Sequence, residues 1–278
     1  MIAENTRPEV VVVTGAGGMG EAVVRRLGSG VSVVLADFND AHLQGVAEGL
    51  RRDGYSVHPV RTDVSSTADV AALATVAAGL GPIRCLVHTA GLSPTQATAQ
   101  QIVTIDFIGT ARMLDAFEPH VRPGTVAVCI ASSAATFATL TAETEHLLAT
   151  APTDELSSLP VLDPSTLDAG MAYVVANRAV QVRVEAAALA WGQRGGRVVS
   201  LSPGIIATPQ GNEELAGQSG DGMRAMIAMS ALKRLGTPDD IAATVQFLVS
   251  PAASLITGTD LLVDGGIVAA IHQQASPG

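Results

Sequence analysis

The sequence predicts a doubly wound α/β domain built on one parallel sheet. Three observations point there. Apolar, β-branched runs alternate with helical patterns to the end of the chain. The first run, Val11-Val12-Val13, empties into a glycine-rich turn at Thr14–Gly20, and a helical pattern over Glu21–Leu27 follows at once. Hydrophobic residues make up 47% of the chain but aromatics only 3%, so the core is Val, Ala, Leu and Ile. That composition suits a parallel sheet buried on both faces.

The elements follow in order. The second strand, Val31–Ala36, ends at Asp37, and a helix over Ala41–Arg52 is closed by Gly54. A third strand, Ser56–Val60, leads into Thr62-Asp63-Val64, and an alanine-rich helix spans Asp69–Ala78. Gly81-Pro82 breaks that helix before a fourth strand at Ile83–His88. One long helix is expected over Thr98–Phe117, with an exit turn at Val121–Gly124 and a fifth strand at Thr125–Ile130. Residues 134–168 break the rhythm with a short helical pattern near Thr139–Leu148 and a Pro/Ser/Asp-rich stretch over Pro152–Asp168. So long an excursion in an α/β domain is usually functional or interfacial. The pattern resumes with a helix over Ala169–Gln193 and a strand at Arg197–Leu201. Residues 210–232 carry mixed helical signals, a helix spans Pro238–Val249, and a last strand lies near Asp260–Asp264. The polar tail after Ile271 is expected to be loose. No composition shift marks a boundary, so residues 1–278 are expected to form one domain with an insertion at about 134–168.

Charge narrows the partners. Sixteen basic residues face twenty-six acidic ones, for a formal net charge of −10, and no basic cluster exceeds Arg25-Arg26 or Arg51-Arg52. Nucleic acid is disfavoured as a partner. Met1–Pro8 lacks a signal-peptide pattern, and no apolar run is long enough to span a bilayer. Cys85 and Cys129 fall in strand patterns and read as buried thiols of a reducing cytoplasm. The six histidines show no ligand spacing, and no metal site is expected.

The glycine-rich turn carries the first functional expectation. Gly15, Gly17 and Gly20 stand at the spacing G-x-G-x-x-G between a strand and a helix. A dinucleotide pyrophosphate needs that arrangement: one glycine for the turn, one for close backbone approach, one for helix–strand packing. The helix N-terminus then offers free N–H groups to the anion. Asp37, twenty-two residues after Gly15, ends the next strand. A carboxylate there accepts from ribose hydroxyls and repels a 2′-phosphate, which points to NAD rather than NADP.

Over nearly its whole length the chain resembles the short-chain dehydrogenase/reductase family. Thr14–Gly20 resembles the family's glycine-rich turn, one residue shorter than the usual T-G-x-x-x-G-x-G. Asp63-Val64 resembles its adenine-contacting Asp-Val, and His88-Thr89-Ala90-Gly91 its N-N-A-G. Ser202-Pro203-Gly204 with Thr208 resembles the P-G…T segment beside the nicotinamide. Arg234–Asp240 and Thr257–Gly266 resemble the C-terminal signature. The resemblance implies a Rossmann-like fold and a nicotinamide cofactor. The expected cofactor contacts are Gly15, Gly17, Gly18, Met19, Gly20, Asp37, Phe38, Asp63, Val64, Ala90, Gly91, Pro203, Gly204, Ile206 and Thr208, joined by Tyr173 and Asn177. Family members with this signature form dimers or tetramers, so a homo-oligomer is expected.

The resemblance also implies a catalytic set. Tyr173 matches the tyrosine that moves the hydroxyl proton. Ser133 matches the serine that binds the substrate oxygen, with neighbouring Ser132 as the other candidate. Three departures stand out. Four residues after Tyr173, where the family has Lys, stands Asn177. That Lys binds the nicotinamide ribose and lowers the tyrosine pKa, by about 1–3 units for a nearby opposite charge. Asn177 keeps a hydrogen-bonding group without the charge, and adjacent Arg178 lies about 100° around the helix. The family's helix Asn, which holds a water chain to the Lys, aligns with Asp106. Either the relay is rebuilt around Asp106 and Asn177, or selection for turnover has relaxed. Finally, forty positions separate Ser133 from Tyr173, much more than the family's usual gap. The excess is the 134–168 excursion, a candidate lid, substrate wall, oligomer contact or solvated insertion.

The expected function is an NAD(H)-dependent oxidoreductase interconverting an alcohol and a ketone or aldehyde, with a small apolar or steroid-like substrate. The rival is an NAD-binding protein with weak or no turnover, acting as a sensor or assembly partner.

Overall fold

The apolar runs become parallel strands in the order expected of a doubly wound sheet. The computed structural model describes residues 7–217 and 219–275. Among them run β1 (Val10–Thr14), β2 (Ser32–Asp37), β3 (Ser56–Arg61), β4 (Ile83–His88), β5 (Val126–Ile130), β6 (Arg197–Pro203) and β7 (Asp260–Val263). Their order across the sheet is β3-β2-β1-β4-β5-β6-β7, every neighbouring pair parallel. The order reverses between β1 and β4, and a ligand crevice forms at such a switch point, outside the carboxyl ends of the strands.

Side chains alternate across the sheet with period two. Val10 and Val12 of β1 enter one core, and Val11 and Val13 enter the other. The first core is covered by α3 (Thr67–Leu80), α4 (Ala99–Ile102), α5 (Gly109–Phe117) and α7 (Ala169–Gln193). The second is covered by α1 (Gly18–Leu27), α2 (Asp40–Arg52) and α10 (Pro238–Val249). Polar caps start most of these helices: Asn39, Ser66, Thr98, Asp168 and Thr237 each accept from a backbone N–H in the first turn.

Two sequence expectations need correction. The long helix over Thr98–Phe117 is not one α-helix. Between α4 and α5 the backbone is π-helical over Val103–Ile108, and Gly109 N–H reaches back to Thr104 O. Gly109 lies so close to Val64 that an added Cβ would stand 2.9 Å from Val64 Cγ2. The extra residue in the turn places Asp106 in the interior; π-bulges of this kind are common at functional sites. Of the tail expected to be loose, residues 272–275 continue α11 (Ile267–Ala275), and residues 276–278 lie outside the described residues.

The 134–168 excursion is docked. It contains α6 (Ala142–Thr150) and 3₁₀ turns at Ser133–Phe137, Thr153–Ser158 and Pro160–Leu162. Leu148, Leu156 and Leu162 are buried with the α5 and α7 side chains. Arg183 of α7 fastens it. Its guanidinium donates to Ala149 O at 3.1 Å, Ala151 O at 2.7 Å and Thr153 Oγ1 at 2.8 Å. Asp115 of α5 completes the clamp, accepting from Thr153 Oγ1 at 2.5 Å. Arg178 adds a 2.6 Å ion pair to Glu145 of α6. Three leucines, a multidentate arginine and an ion pair make this segment a fixed part of the α5–α7 layer.

Arg183→Ala leaves two carbonyls without their charged donor. It is expected to lower unfolding free energy by about 2–3 kcal/mol, measured in urea, with faster amide exchange concentrated in residues 142–163.

Candidate active site

The site begins at the β1–α1 turn. Gly15 has φ +88°, which favours glycine, and its N–H donates to Ala36 O at 2.7 Å. A Cβ on Gly15 would stand 2.8 Å from Ala90 N, and one on Gly20 would stand 1.8 Å from Gly15 O. Neither position tolerates a side chain. Thr89 of the β4 exit locks the turn from the other side, with its N–H and hydroxyl donating to Thr14 O at 2.9 and 2.8 Å. Gly17 differs: a Cβ there would meet nothing within 4 Å. It caps α1 without a side-chain hydrogen bond, so the first N–H groups of α1 face open space.

That space is a cleft of about 610 Å³, within the size range of cofactor sites. Of the expected cofactor contacts, Gly15, Gly17, Gly18, Met19, Gly20, Asp37, Phe38, Asp63, Val64, Ala90, Gly91 and Thr208 line it. Asp37 Oδ2 accepts from Ala16 N at 2.8 Å and Oδ1 from Asn39 N at 2.9 Å. A carboxylate has about four lone-pair sites, so two stay available towards the cleft. Asp63 Oδ1 is engaged by the Ser65 N–H and hydroxyl at 2.9 and 2.6 Å. The residues present fit a dinucleotide: an open glycine cradle, uncapped N–H groups and a carboxylate at the end of β2.

Pro203, Gly204, Ile206, Tyr173 and Asn177 are not among the residues that line this cleft. Gly204 and Ile206 line a smaller neighbouring hollow with Asp264 and Gly265. A Cβ on Gly204 would stand 2.8 Å from Asp264 Cα, so this glycine serves packing of β6 against the β7 exit. Ile206 bridges to Gly236. No residue of 134–168 lines the cleft either. Several lining residues escaped the sequence reading, among them His42, Thr89, Leu92, Gln101, Ile105 and Gln210. His42 carried a faint signal, five residues beyond Asp37 in the first turn of a predicted helix.

The catalytic candidates gather where α7 starts. Asp168 caps that helix, accepting from Met171 N at 2.7 Å, and Tyr173 follows in its first turns. Of the two serine candidates, Ser132 is the one whose hydroxyl stands near enough to the Tyr173 phenol to oppose the rise in its pKa. Ser132 is buried at the end of the β5 exit and also accepts from Ala134 N at 3.2 Å. Ser133 opens the 3₁₀ turn that follows.

Tyr173 is pushed up to about 12, chiefly by burial; the Ser132 hydroxyl opposes, and the charges of Asp106 and Glu214 add to the rise. Asp106 is pushed up to about 8 by burial, opposed by the Leu92 N–H, which donates to its Oδ1 at 2.8 Å. Asn177 is buried, and its amide donates to Tyr173 O at 2.8 Å, back along its own helix. Arg178 turns to Glu145 and Gln181. No cation is among the groups that shift Tyr173. Among the described residues no His/Cys/Asp/Glu cluster suits a metal ion, and no helix is long and apolar enough to cross a membrane.

Known proteins agree with this architecture. The family model described as short chain dehydrogenase matches residues 9–143, and the one described as Enoyl-(Acyl carrier protein) reductase matches 164–268. The chain is 35% identical over 271 residues to the short-chain dehydrogenase/reductase bsc3 of Alternaria brassicicola, covering 96% of this chain and 98% of that one. It is 31% identical to a D-threitol dehydrogenase of Mycolicibacterium smegmatis, covering 93% and 92%. A crystal structure of a glucose/ribitol dehydrogenase of the same type from Brucella melitensis superposes with a TM-score of 0.74 at 26% identity, covering 94% and 97%. The matched models span most of the chain, and each of the two relatives covers more than nine-tenths of it: this protein belongs to the short-chain dehydrogenase/reductase family.

Proposed function

We propose that this protein is an NAD(H)-dependent oxidoreductase interconverting an alcohol and a ketone or aldehyde. The observation that carries the reading is a glycine-cradled cleft whose lining residue Leu92 donates its N–H to Asp106, the carboxyl that acts on Tyr173. A bound nicotinamide supplies or accepts the hydride. Gly17, Gly18 and Met19 face its pyrophosphate, and Asp37 and Asp63 its adenosine half. Asp37 supports NAD over NADP, because a 2′-phosphate beside it meets like charge. Names of relatives such as D-threitol dehydrogenase support alcohol–carbonyl chemistry.

The roles follow from proton bookkeeping. In reduction Tyr173 gives its hydroxyl proton to the carbonyl oxygen as hydride reaches the carbon. Ser132 donates a hydrogen bond to the same oxygen. In oxidation Tyr173 takes the hydroxyl proton back. With its pKa near 12, Tyr173 holds its proton at neutral pH, which favours the donor role and hence reduction. Asp106 below about pH 8 is a neutral carboxylic acid, with one oxygen accepting from Leu92 N and one O–H to donate. In that state it reproduces the acceptor–donor pair of an asparagine side chain. Asn177 bonds the helix backbone at the residue that carries the phenol, and in our reading it also serves the cofactor ribose.

A second reading, an NAD-binding protein with weak turnover, is favoured by the missing cation beside Tyr173. We also propose a cytoplasmic homo-oligomer without nucleic-acid or membrane partners. Buried free Cys85 and Cys129 support a reducing compartment, and the net charge of −10 opposes nucleic acid. The outer edge of β7 is unpaired in the sheet, and Leu255 just before it is 96% exposed, which supports self-association there.

Four outcomes are expected. NADH binding, followed by fluorescence, is tighter than NADPH binding. Tyr173→Phe lowers turnover about 100-fold or more on any alcohol or ketone the enzyme accepts, whereas tight NADH binding with no activity on a broad panel selects the second reading. Alcohol oxidation rises about tenfold per pH unit through the alkaline range, because the tyrosinate fraction rises so below a pKa near 12. Asp106→Asn removes the carboxylate charge present above about pH 8. Tyr173 then ionises more easily, and oxidation at pH 9–10 speeds up by about two- to tenfold.

A further inference from the structure

Ala16 sits between Gly15 and Gly17 in the glycine-rich turn and is buried. Both sides of its peptide chain are gripped from the β2–α2 turn. Its N–H donates to Asp37 Oδ2 at 2.8 Å, and its carbonyl accepts from His42 Nε2 at 3.2 Å. A carbonyl oxygen only accepts, so Nε2 carries the proton. The two partners are themselves tied together. Asn39 N–H donates to Asp37 Oδ1 at 2.9 Å, and Asn39 Oδ1 accepts from His42 N–H at 3.2 Å. The four bonds close a ring: Ala16 to Asp37, Asp37 to Asn39, Asn39 to His42, and His42 back to Ala16.

The ring matters because of what it holds. Four of the six residues Gly15–Gly20 are glycines, and glycine gives up more conformational freedom on ordering than any other residue. Strand neighbours fix the two ends, through Gly15 N to Ala36 O and the Gly20 contact with Gly15 O. Between them a Cβ on Gly17 would meet nothing within 4 Å, and α1 has no side-chain cap. The backbone of Ala16 is thus the handle by which the open part of the turn is held. Asp37 holds one side and His42 the other. His42 also lines the cleft itself.

We infer that His42 is a positioning residue for the cofactor: its imidazole fixes the Ala16 carbonyl so that the N–H groups of Gly17–Met19 stay aimed at a dinucleotide pyrophosphate. The inference rests on the nicotinamide-cofactor reading above and adds a residue that the glycine spacing does not contain. Losing this bond lets the Gly15–Gly18 segment sample other shapes in the free protein, and binding must then restore the competent one.

The test uses the full-length protein, His42→Ala and His42→Gln, with NADH as probe. Gln places a side-chain N–H donor near the position of Nε2. Intrinsic and NADH fluorescence give Kd, and amide exchange reports Ala16–Met19 without cofactor. His42→Ala is expected to raise the Kd for NADH about three- to tenfold, the range of one net hydrogen bond. The loss falls on KM for NADH rather than on kcat, exchange at Gly17–Met19 quickens, and His42→Gln recovers most of the affinity. Wild-type Kd and exchange in His42→Ala overturn the inference. So does an equal loss in both variants accompanied by a lower Tm, which marks His42 as only a support for α2. If the wild type binds no NADH, the cofactor reading fails instead, and unaltered exchange at Gly17–Met19 in His42→Ala then overturns the positioning role separately.

Discussion

One contact organises the molecule: the carbonyl of Gly15 against the Cα of Gly20, at the switch point between β1 and β4. A side chain at either residue would collide with backbone. With both absent, α1 drops onto β1 close enough to pack Val23, Val24 and Leu27 into the second core. The same closeness leaves the first N–H groups of α1 at the carboxyl end of the sheet, where the cleft opens. Thr89 then ties the β4 exit to the same turn through Thr14 O. Packing and binding share one geometric constraint, so the turn cannot be altered for one without the other.

A second constraint works on the opposite face of the sheet. α7 is 25 residues long and serves two purposes along its length. Its first turns present Tyr173 and Asn177, and its middle carries Arg183, which fastens residues 142–163 through three donors. The excursion between the candidate serine and tyrosine is thereby converted from a loop into a layer. Its three buried leucines offset part of the conformational entropy that ordering such a segment costs. Because it rests on α7 and α5, it stabilises the helix that positions Tyr173 while leaving the cleft unobstructed.

Electrostatics in this interior are governed by burial without a compensating cation. Tyr173 and Asp106 are both driven towards their neutral forms. The two shifts are mutually consistent: a neutral Asp106 removes the charge that would push Tyr173 further up. Asn177 fits the same logic, since a buried amide bonded to Tyr173 O costs far less to desolvate than an unpaired ammonium. Asp106 and Asn177 thus belong to one environment with little net charge, suited to a phenol that keeps its proton.

Much of this was legible in the chain alone. The strand–helix alternation and Ala169–Gln193 as one helix follow from local periodicity and turn chemistry, which the sequence carries directly. So do Gly15, Gly20 and Asp37, because their roles depend on backbone sterics and strand ends within about twenty residues. Tertiary structure decided the rest. Ser132, beside the Ser133 that the family motif selects, stands near the Tyr173 phenol. Asp106 turns inward because a π-helical stretch interrupts a pattern that reads as plain α-helix. Gly204 and Ile206 pack against Asp264 and Gly236 instead of lining the cleft. His42 reaches Ala16 only because β1 and β2 are neighbours. Each of these outcomes depends on side-chain direction between segments distant in the chain, a quantity that periodicity and spacing do not encode.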